Sequence, residues 1–366
     1  MHSEFQQLMS RATRLTQSGN LTAATAAIQA ALRGSAPPAH APQDEPDIIE
    51  VEAWEIPEST GASGTAPTNI EDVVAPVRKP AVSGDVFIRG SFRNSEGQRS
   101  YKLYVPPNAS DHPLPLVVML HGCTQDADDF AAGTAMNDAA RAQGFYVLYP
   151  IQSRKANPQK CWNWFKHTHQ QQDRGEPAIL AGMTRAVIEK HAIDTQRVYV
   201  AGLSAGGAMA AILASAYPRL YAAAGVHSGL APGVASDLPS ALSAMKSAQT
   251  RASVKAGSGV PTIVFHGDRD ATVHPDNARA VIAASVGSAA TGETLRVPGM
   301  GNKRHSTRHM YRNPAGEIIA ERWEIHGAGH AWAGGSESGS YTDRTGPNAT
   351  AEMLRFFFER VLGDKR

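Results

Sequence analysis

One serine in this chain stands in a setting that can make it a nucleophile. Residues 202–206 have the pattern Gly-x-Ser-x-Gly, with Ser204 at the centre. A short apolar run at 198–201 precedes the pattern and an alanine-rich run at 208–214 follows it, which predicts a strand, a sharp turn and a helix. Such a turn strains the serine backbone, exposes the hydroxyl and directs the free N–H groups of the helix start to the same place. The stretch therefore predicts nucleophilic chemistry at Ser204.

A base and an acid for this serine are found further along the chain. A serine hydroxyl needs a base within hydrogen-bond reach, and the base needs an acid to orient it. The predicted base is His330, which follows the last predicted strand in a loop where Gly327 and Gly329 allow it to reach the serine. The predicted acid is Asp270, which follows a short apolar run at 261–265. The order Ser, Asp, His along the chain is the order found in α/β-hydrolases.

Asp268 is the nearest competitor for the role of the acid, and Asp276 is a weaker one. Either of them can also be explained as an aspartate that stabilises a turn or caps a helix. The residues alone therefore leave the choice between Asp270 and Asp268 open.

Two backbone N–H groups are candidates for an oxyanion hole, which must hold its donors in place before negative charge develops. Ala205, directly after the nucleophile, supplies one of them. The loop at 121–124, which ends a buried apolar run, is expected to supply the other from Cys123. These two residues form the oxyanion hole that the sequence predicts.

The elements that must position these residues alternate between strands and helices. A pair of strands is expected first, at 86–92 and 100–105. Short apolar runs, typical of strands buried on both faces, follow at 116–120, 145–149, 197–201, 221–227, 261–265 and 317–325. Helices are expected at 177–191, after Ser204 and at 350–362. The alternation predicts a mostly parallel sheet with helices on both faces and an active site at the carboxyl ends of the strands.

The composition excludes several classes of protein. Of the 366 residues, 42% are hydrophobic and 19% are charged, which suits a globular enzyme and not a disordered chain. The formal net charge of +1 predicts no general affinity for nucleic acid. No stretch approaches the roughly 18 apolar residues that a membrane span needs. The start of the chain shows no signal sequence, so a cytoplasmic location is expected.

Three regions are predicted along the chain. Residues 1–34 contain two stretches in which apolar residues recur at helical spacing, separated by a break at 18–20. This pattern predicts a short helical hairpin. Such a hairpin would dock on the main domain or anchor the chain to a hydrophobic granule surface. Residues 35–80 are expected to be a Pro-rich acidic linker, since nine acidic residues and no Lys or Arg lie at 34–77. Residues 81–366 are the predicted catalytic domain.

Five motifs together are far more specific than the serine pattern alone. They are Leu-His-Gly-Cys-Thr-Gln at 120–125, Cys-Trp-Asn-Trp-Phe at 161–165, the serine turn at 202–206, His-Ser-Gly at 227–229 and Gly-His-Ala-Trp at 329–332. With these motifs, residues 83–362 resemble the poly(3-hydroxybutyrate) depolymerase family of esterases, which is related to feruloyl and acetylxylan esterases. The resemblance implies an α/β-hydrolase fold with Ser204 as nucleophile, Asp270 as acid and His330 as base. It also implies ester hydrolysis through an acyl-enzyme, with no metal and no cofactor.

The tryptophans and cysteines near these motifs allow two interpretations each. Trp164 and Trp332 are candidates to bind substrate in an apolar cleft, and otherwise they belong to the core. Cys123 and Cys161 either form a disulfide that fixes the oxyanion loop or remain two buried thiols. The thiol state is the one expected in a reducing cytoplasm.

The leading functional interpretation is a serine esterase that acts on short hydroxyacyl esters, such as oligomers or polymers of 3-hydroxybutyrate. An esterase of the feruloyl or acetylxylan type shares this chemistry and differs in an acyl cleft that the sequence does not size. A non-catalytic granule-associated or scaffold protein is a third alternative, although such a protein has no need of a complete triad. The expected partner is therefore an ester, small or polymeric, and no nucleic acid.

Overall fold

The computed structural model describes residues 86–107, 109, 112–247, 259–287 and 291–363. The helical hairpin and the linker that the sequence predicts for residues 1–80 lie outside these described residues. Within the described residues, no helix has the length and apolar character that would let it span a membrane.

The centre of the described region is a sheet of ten strands. In chain order they are β1 (Val86–Asn94), β2 (Gly97–Val105), β3 (Leu114–Leu120), β4 (Tyr146–Ile151), β5 (Ile193–Leu203), β6 (Ala223–His227), β7 (Thr262–Gly267), β8 (Thr291–Val297), β9 (Ser306–Arg312) and β10 (Ile318–Ile325). Their order across the sheet is β1-β2-β4-β3-β5-β6-β7-β10-β9-β8. The run from β4 to β10 is parallel throughout. An antiparallel pair flanks it at each edge, which confirms the predicted mostly parallel sheet.

Helices connect most of these strands. Those in the described residues are α1 (Ala127–Thr134), α2 (Met136–Gln143), α3 (Gly175–Lys190), α4 (Ala205–Ala216), α5 (Leu238–Lys246), α6 (Asn277–Val286) and α7 (Ala349–Phe358). Two short strands, β11 (Trp332–Ala333) and β12 (Thr342–Asp343), pair with each other in parallel outside the main sheet.

Two apolar cores lie on opposite faces of the sheet, because successive side chains of a strand point to opposite faces. Every residue of β3 is buried. Leu116 and Val118 of this strand belong to one core, with side chains of α3, α4 and α6. Val117 and Met119 belong to the other, with side chains of α1, α2 and α7. Helices on both faces, as predicted, are therefore confirmed.

The candidate triad residues all follow strands of the parallel run. Ser204 comes directly after β5, Asp270 lies three residues after the end of β7, and His330 lies five residues after the end of β10. These strands are close neighbours in the sheet, with only β6 between β5 and β7. Because their carboxyl ends meet at one edge, three distant segments of the chain come together there.

Candidate active site

Ser204 occupies a sharp turn between β5 and α4. Its backbone has a φ of 56° and a ψ of −118°, which is a strained conformation for a residue with a side chain. Its N–H donates to the carbonyl oxygen of His227 on the neighbouring strand, with N and O 2.9 Å apart. Ser204 is only partly buried, so the turn leaves the residue accessible at the edge of the sheet.

The glycines that flank Ser204 are required by close backbone contacts. A Cβ added to Gly206 would lie 2.0 Å from the carbonyl oxygen of Leu120, and one added to Gly202 would lie 2.4 Å from the backbone of Gly206. Neither distance is compatible with a side chain. Helix α4 can therefore begin this close to β3 and β5 only with glycine at both positions.

Asp270 and His330 are brought into contact. Nδ1 of His330 lies 2.7 Å from Oδ2 of Asp270. The other carboxylate oxygen, Oδ1, accepts hydrogen bonds from the backbone N–H groups of Thr272 and Val273, at 2.9 Å each. The carboxylate therefore holds the proton of a neutral His330 on Nδ1 and leaves Nε2 able to accept another.

The Asp270 carboxylate is buried and yet held in its ionised form. Its side chain has no exposed surface, and burial alone would raise its pKa. Hydrogen bonds from His266 and His330 outweigh burial and hold the pKa of Asp270 well below its ordinary value. Nε2 of His266 lies 3.3 Å from Oδ2 of Asp270. A negative charge is thus fixed next to the position where an imidazolium would form.

Asp268, the competing candidate for the acid, has different partners. Its Oδ1 accepts a hydrogen bond from the N–H of Gly327 at 2.7 Å, and its Oδ2 lies 3.1 Å from Nδ1 of His326. Asp268 therefore holds the start of the loop that carries His330. Of these two aspartates, the structure places Asp270 against His330, and the catalytic role of Asp270 stays a prediction.

The contact between Ser204 and His330 also stays a prediction. Across the described part of the chain, the Ser204 hydroxyl has no hydrogen-bond partner. Such bonds are often long until a substrate is bound. The side chain of His330 is 13% exposed, so substrate and solvent can reach it.

Cys123 and Ala205, the predicted oxyanion donors, both have free backbone N–H groups. Among the described residues, neither N–H donates to a protein acceptor. The loop beside Cys123 is held in place, because the N–H of Gly122 donates to Oε1 of Gln125 at 2.9 Å. Ala205 is the first residue of α4, where N–H groups have no partner within the helix. Both donors are available, and their role in catalysis stays a prediction.

Cys123 and Cys161 form a disulfide, with their Cα atoms 4.2 Å apart. The expectation of two buried thiols is therefore wrong. The fold brings the two residues together across a separation of 38 positions, because the loop after β3 packs against the segment that follows β4. The bond ties the loop that carries the Cys123 N–H to the segment at 161–165. The cytoplasmic location, on which the thiol expectation depended, stays a prediction.

A buried histidine supports the oxyanion loop. Nδ1 of His121 donates to the carbonyl oxygen of Gly122 at 2.7 Å, and Nε2 accepts from the N–H of Gln152 at 3.1 Å. Burial lowers the pKa of His121 to about 4, so the ring is neutral at neutral pH. Its carbonyl oxygen accepts a hydrogen bond from the indole N–H of Trp162 at 3.2 Å. His121 thus joins the loop to the segment that carries Cys161.

Glu176 is the centre of a buried polar network that was not predicted from the sequence. Its carboxylate accepts the backbone N–H and the side-chain amide of Asn163 at 2.7 and 2.8 Å, and it pairs with Arg99 at 3.1 Å. Burial raises the pKa of the carboxyl group, but hydrogen bonds from His169, Gln152 and Asn163 lower it to about 2. The network fixes the segment that the disulfide ties to the oxyanion loop. It joins segments that are far apart in the chain, so no spacing of residues indicates it.

Trp164 and Trp332, the predicted substrate-binding residues, lie in the apolar cores. They are only 5% and 1% exposed. The indole N–H of Trp332 donates to Oγ1 of Thr350 at 3.1 Å, and its ring stacks on His227 with centroids 5.2 Å apart. Neither tryptophan offers a face to solvent in this structure, and contact with substrate stays a prediction.

Tyr341 is an exposed aromatic residue near the site. Its position was not predicted from the sequence. It is 46% exposed. Its carbonyl oxygen accepts the N–H of Trp332 at 2.7 Å, and its phenol oxygen lies 3.3 Å from Oγ1 of Thr124. Tyr341 therefore lies between the segment after His330 and the oxyanion loop. Only the pairing of β11 with β12 places it there, and two-residue strands leave no sequence pattern.

One group of possible metal ligands lies beside the site in the described residues. Asp268, Glu324 and His326 have ligating atoms within 4.8 Å of one another. Each also has a protein partner, since Glu324 pairs with Arg322 at 3.0 Å and Nε2 of His326 lies 2.8 Å from Oγ1 of Thr307. The guanidinium would compete with a cation, and we assign these side chains to holding the loop before His330.

The strained turn at Ser204, the Asp270–His330 contact and the two free N–H groups meet at the carboxyl edge of a mostly parallel sheet. This arrangement is the one that defines α/β-hydrolases. The sequence model of the family described as "Esterase PHB depolymerase" matches residues 99–300. The chain belongs to this family, which confirms the resemblance inferred from its motifs.

Two of the individual relatives illustrate the similarity. Poly(3-hydroxyalkanoate) depolymerase C of Paucimonas lemoignei is 32% identical over 237 residues, or 61% of this chain and 56% of that protein. Acetylxylan esterase A of Talaromyces purpureogenus is 30% identical over 222 residues, or 55% of this chain and 56% of that protein. The chain thus spans a little over half the length of these curated relatives.

A solved structure supports the fold. The acetyl xylan esterase from Aspergillus awamori superposes with a TM-score of 0.55 at 20% identity, and the match covers 71% of this chain and 94% of that one. At this identity the likeness concerns the fold alone. It agrees with the α/β-hydrolase arrangement described above.

Proposed function

We propose that this protein is a serine esterase that cleaves carboxylic esters through an acyl-enzyme. The observation that carries the proposal is the 2.7 Å contact between His330 and a buried, ionised Asp270, on the loops beside the strained turn at Ser204. A binding protein has no need of a complete triad of serine, histidine and aspartate. Membership of the esterase family supports the same conclusion.

In the first half of the reaction, Oγ of Ser204 attacks the ester carbonyl carbon. His330 takes the hydroxyl proton on Nε2, and the carbonyl oxygen becomes an oxyanion. The N–H groups of Cys123 and Ala205 stabilise that charge. The C–O bond to the leaving alcohol then breaks, and His330 returns the proton to the alcohol oxygen.

In the second half, water attacks the acyl group on Ser204. His330 takes a proton from the water, the acid leaves, and the proton returns to Oγ of Ser204. Asp270 remains ionised throughout and stabilises the imidazolium that forms twice in each cycle. The reaction balances with an ester and water alone.

The substrate class that we propose is esters of short hydroxyacyl groups, of the 3-hydroxybutyrate type, as oligomers or polymer. The similarity to a poly(3-hydroxyalkanoate) depolymerase at 32% identity supports this class. The alternative is an ester of the acetylxylan or feruloyl type. Similarity to acetylxylan esterase A at 30% identity supports that alternative almost as well.

A panel of esters tests both the proposed esterase activity and the proposed substrate class. We would measure kcat/KM for p-nitrophenyl butyrate, the trimer of 3-hydroxybutyrate, methyl ferulate and acetylated xylan, with Ser204→Ala as the control. The wild-type protein should hydrolyse the nitrophenyl ester, and the trimer should have the highest kcat/KM of the natural esters. The Ser204→Ala substitution should lower kcat/KM by a factor of about 10⁴–10⁶.

The outcomes separate the alternatives. A higher kcat/KM on methyl ferulate or acetylated xylan than on the trimer would overturn the proposed substrate class. No hydrolysis of any ester by the folded protein would overturn the esterase proposal and favour a granule-associated or scaffold protein.

A further inference from the structure

His227 contacts both the nucleophile segment and the segment that carries the base. It is the last residue of β6, and in the parallel pairing of the sheet it lies opposite Leu203, the last residue of β5. Its carbonyl oxygen accepts the N–H of Ser204 at 2.9 Å. Its ring Nε2 accepts the backbone N–H of Ala333 at 3.0 Å, three residues after His330.

The partners of the ring determine its protonation. Because the N–H of Ala333 can only donate, Nε2 of His227 must carry a lone pair and the ring hydrogen must be on Nδ1. Nδ1 lies 3.2 Å from Oγ of Ser228, which accepts that hydrogen. Burial and the neighbouring His266 and His330 together lower the pKa of His227 to about 3, so the ring is neutral at neutral pH.

Stacking fixes the plane of the ring. It lies against Trp332, with centroids 5.2 Å apart and planes 28° apart, and against Phe265, at 5.8 Å and 15°. Trp332 follows His330 by two residues, and Phe265 is in β7, the strand that leads to Asp270. His227 therefore touches all three segments that supply the candidate triad.

An apolar side chain could fill the same space but could not make the same contact. His227 has no exposed surface, and Ala333 is only 1% exposed. Without an acceptor, the Ala333 N–H would be buried and unsatisfied, which is a costly state that the segment can escape only by moving. The acceptor on His227 thus specifies where the segment after His330 lies relative to Ser204.

We propose that His227 is a positioning residue of the esterase site: its Nε2 holds the segment that carries His330 in register with the turn at Ser204. The inference rests on the proposed function, since it concerns the distance between the nucleophile and its base. His227 does not itself contact the reacting atoms. It acts through Ala333 and through the backbone of Ser204.

A matched pair of variants tests this role. His227→Gln keeps an acceptor, because Oε1 of glutamine can lie close to the position of Nε2, whereas His227→Leu has a similar size and no acceptor. Both variants lose the stacked ring, so their difference isolates the hydrogen bond to Ala333. We would measure kcat and KM on p-nitrophenyl butyrate, the rate of labelling by a fluorophosphonate and the thermal unfolding midpoint.

We expect His227→Leu to lower kcat by about 10²-fold with little change in KM, since a displacement of about 1 Å in the site can cost that much. His227→Gln should restore most of the loss, to within about tenfold of the wild type. The labelling rate should follow kcat in both variants. Equal kcat in the two variants, whether both are low or both are unchanged, would overturn the inference.

Two further results keep the test decisive. If His227→Leu does not fold, His227→Met replaces it, because a thioether is only a weak acceptor. A kcat and labelling rate equal to those of His227→Gln would then overturn the inference. If the wild type labels on Ser204 but hydrolyses no ester, the proposed function fails, and the labelling rates of the His227 pair still decide the inference.

Discussion

At the scale of single residues, two aspartates in one loop have separate tasks. The Asp270 carboxylate makes four polar contacts, with two imidazoles and two backbone N–H groups, and its negative charge lies next to His330. Asp268 holds Gly327 and His326 in the loop before His330. Replacing each of them by asparagine should therefore have very different effects on activity.

Asp270→Asn should lower kcat by about 10⁴, because an amide donor against Nδ1 of His330 favours the wrong tautomer. Asp268→Asn should lower kcat far less, since the loop keeps its other contacts. Steady-state kinetics on p-nitrophenyl butyrate would measure both, with circular dichroism as the check on folding. The reverse order of losses would assign the acid to Asp268.

A second prediction at this scale concerns Glu176 and acid stability. Its pKa is lowered from an ordinary 4.5 to about 2 in the folded protein, so the unfolded chain binds more protons between those values. The stabilisation from Glu176 is therefore complete above pH 4.5 and is lost as pH falls towards 2. The difference in unfolding free energy between the wild type and Glu176→Gln should shrink over that range.

Urea titrations at several pH values would measure this difference. Glu337→Gln is the matched control, because Glu337 is at the surface with a side chain that is 74% exposed. Its difference from the wild type should stay nearly constant with pH. A Glu176→Gln difference that does not vary with pH would show that the network does not depend on the charge of Glu176.

The roles of residues were predictable where they follow from motif and order, and not where they depend on three-dimensional partners. Ser204 and His330 stand out in the sequence because glycines mark their turns. The sequence did not separate Asp270 from Asp268, since both follow the same strand and only their partners differ. Tyr341 had no signal, because its position depends on pairing across a loop.

At the scale of elements, the turn between β5 and α4 depends on close approach of the backbone. We predict that Gly206→Ala lowers the unfolding midpoint strongly or prevents folding, because its Cβ would lie 2.0 Å from the oxygen of Leu120. Gly329→Ala is the control, since a Cβ there would meet nothing within 4 Å. Thermal unfolding would measure both. A Gly206→Ala protein as stable as Gly329→Ala would contradict the contact.

The disulfide is the second element on which the site depends. Replacing both Cys123 and Cys161 by serine should lower kcat by about tenfold with a smaller change in KM, because the Cys123 N–H would be held less firmly and loss of a whole oxyanion donor costs about 10²–10³. Kinetics of the double variant, and of the wild type before and after reduction, would measure this. An unchanged kcat would show that His121 and Gln125 hold the loop without the bond.

Elements were predictable from sequence where they are buried on both faces. The run Leu116–Leu120 is wholly apolar because both faces of β3 are covered, and it was predicted as a strand. The edge pair β8 and β9 was missed, since β8 is largely exposed and its residues show no alternation. Helices α1 and α2 were also missed, because each is only 8 residues long.

At the scale of the whole molecule, the fold class followed from the alternation of strands and helices. That alternation predicted a mostly parallel sheet. The positions of Ser, Asp and His after strands predicted that all three lie at the carboxyl edge of that sheet. Long-range features did not follow, such as the disulfide and the network around Glu176. They join segments whose neighbourhood is created only by the fold.

The wider activity of the protein is proposed and not fixed by similarity. The chain spans a little over half the length of two curated relatives, a poly(3-hydroxyalkanoate) depolymerase and an acetylxylan esterase. Both substrate classes that we propose as alternatives require attack by an activated serine. Activation of Ser204 can be tested without knowledge of the natural ester.

The most direct test is the mass of the protein after treatment with a fluorophosphonate probe, followed by peptide mapping. A serine reacts with this probe only when a base activates it and an oxyanion hole is in place. We predict a single adduct, located on Ser204 and absent from the Ser204→Ala protein. No adduct on the folded protein, or an adduct on another residue, would contradict the assignment of Ser204 as an activated nucleophile.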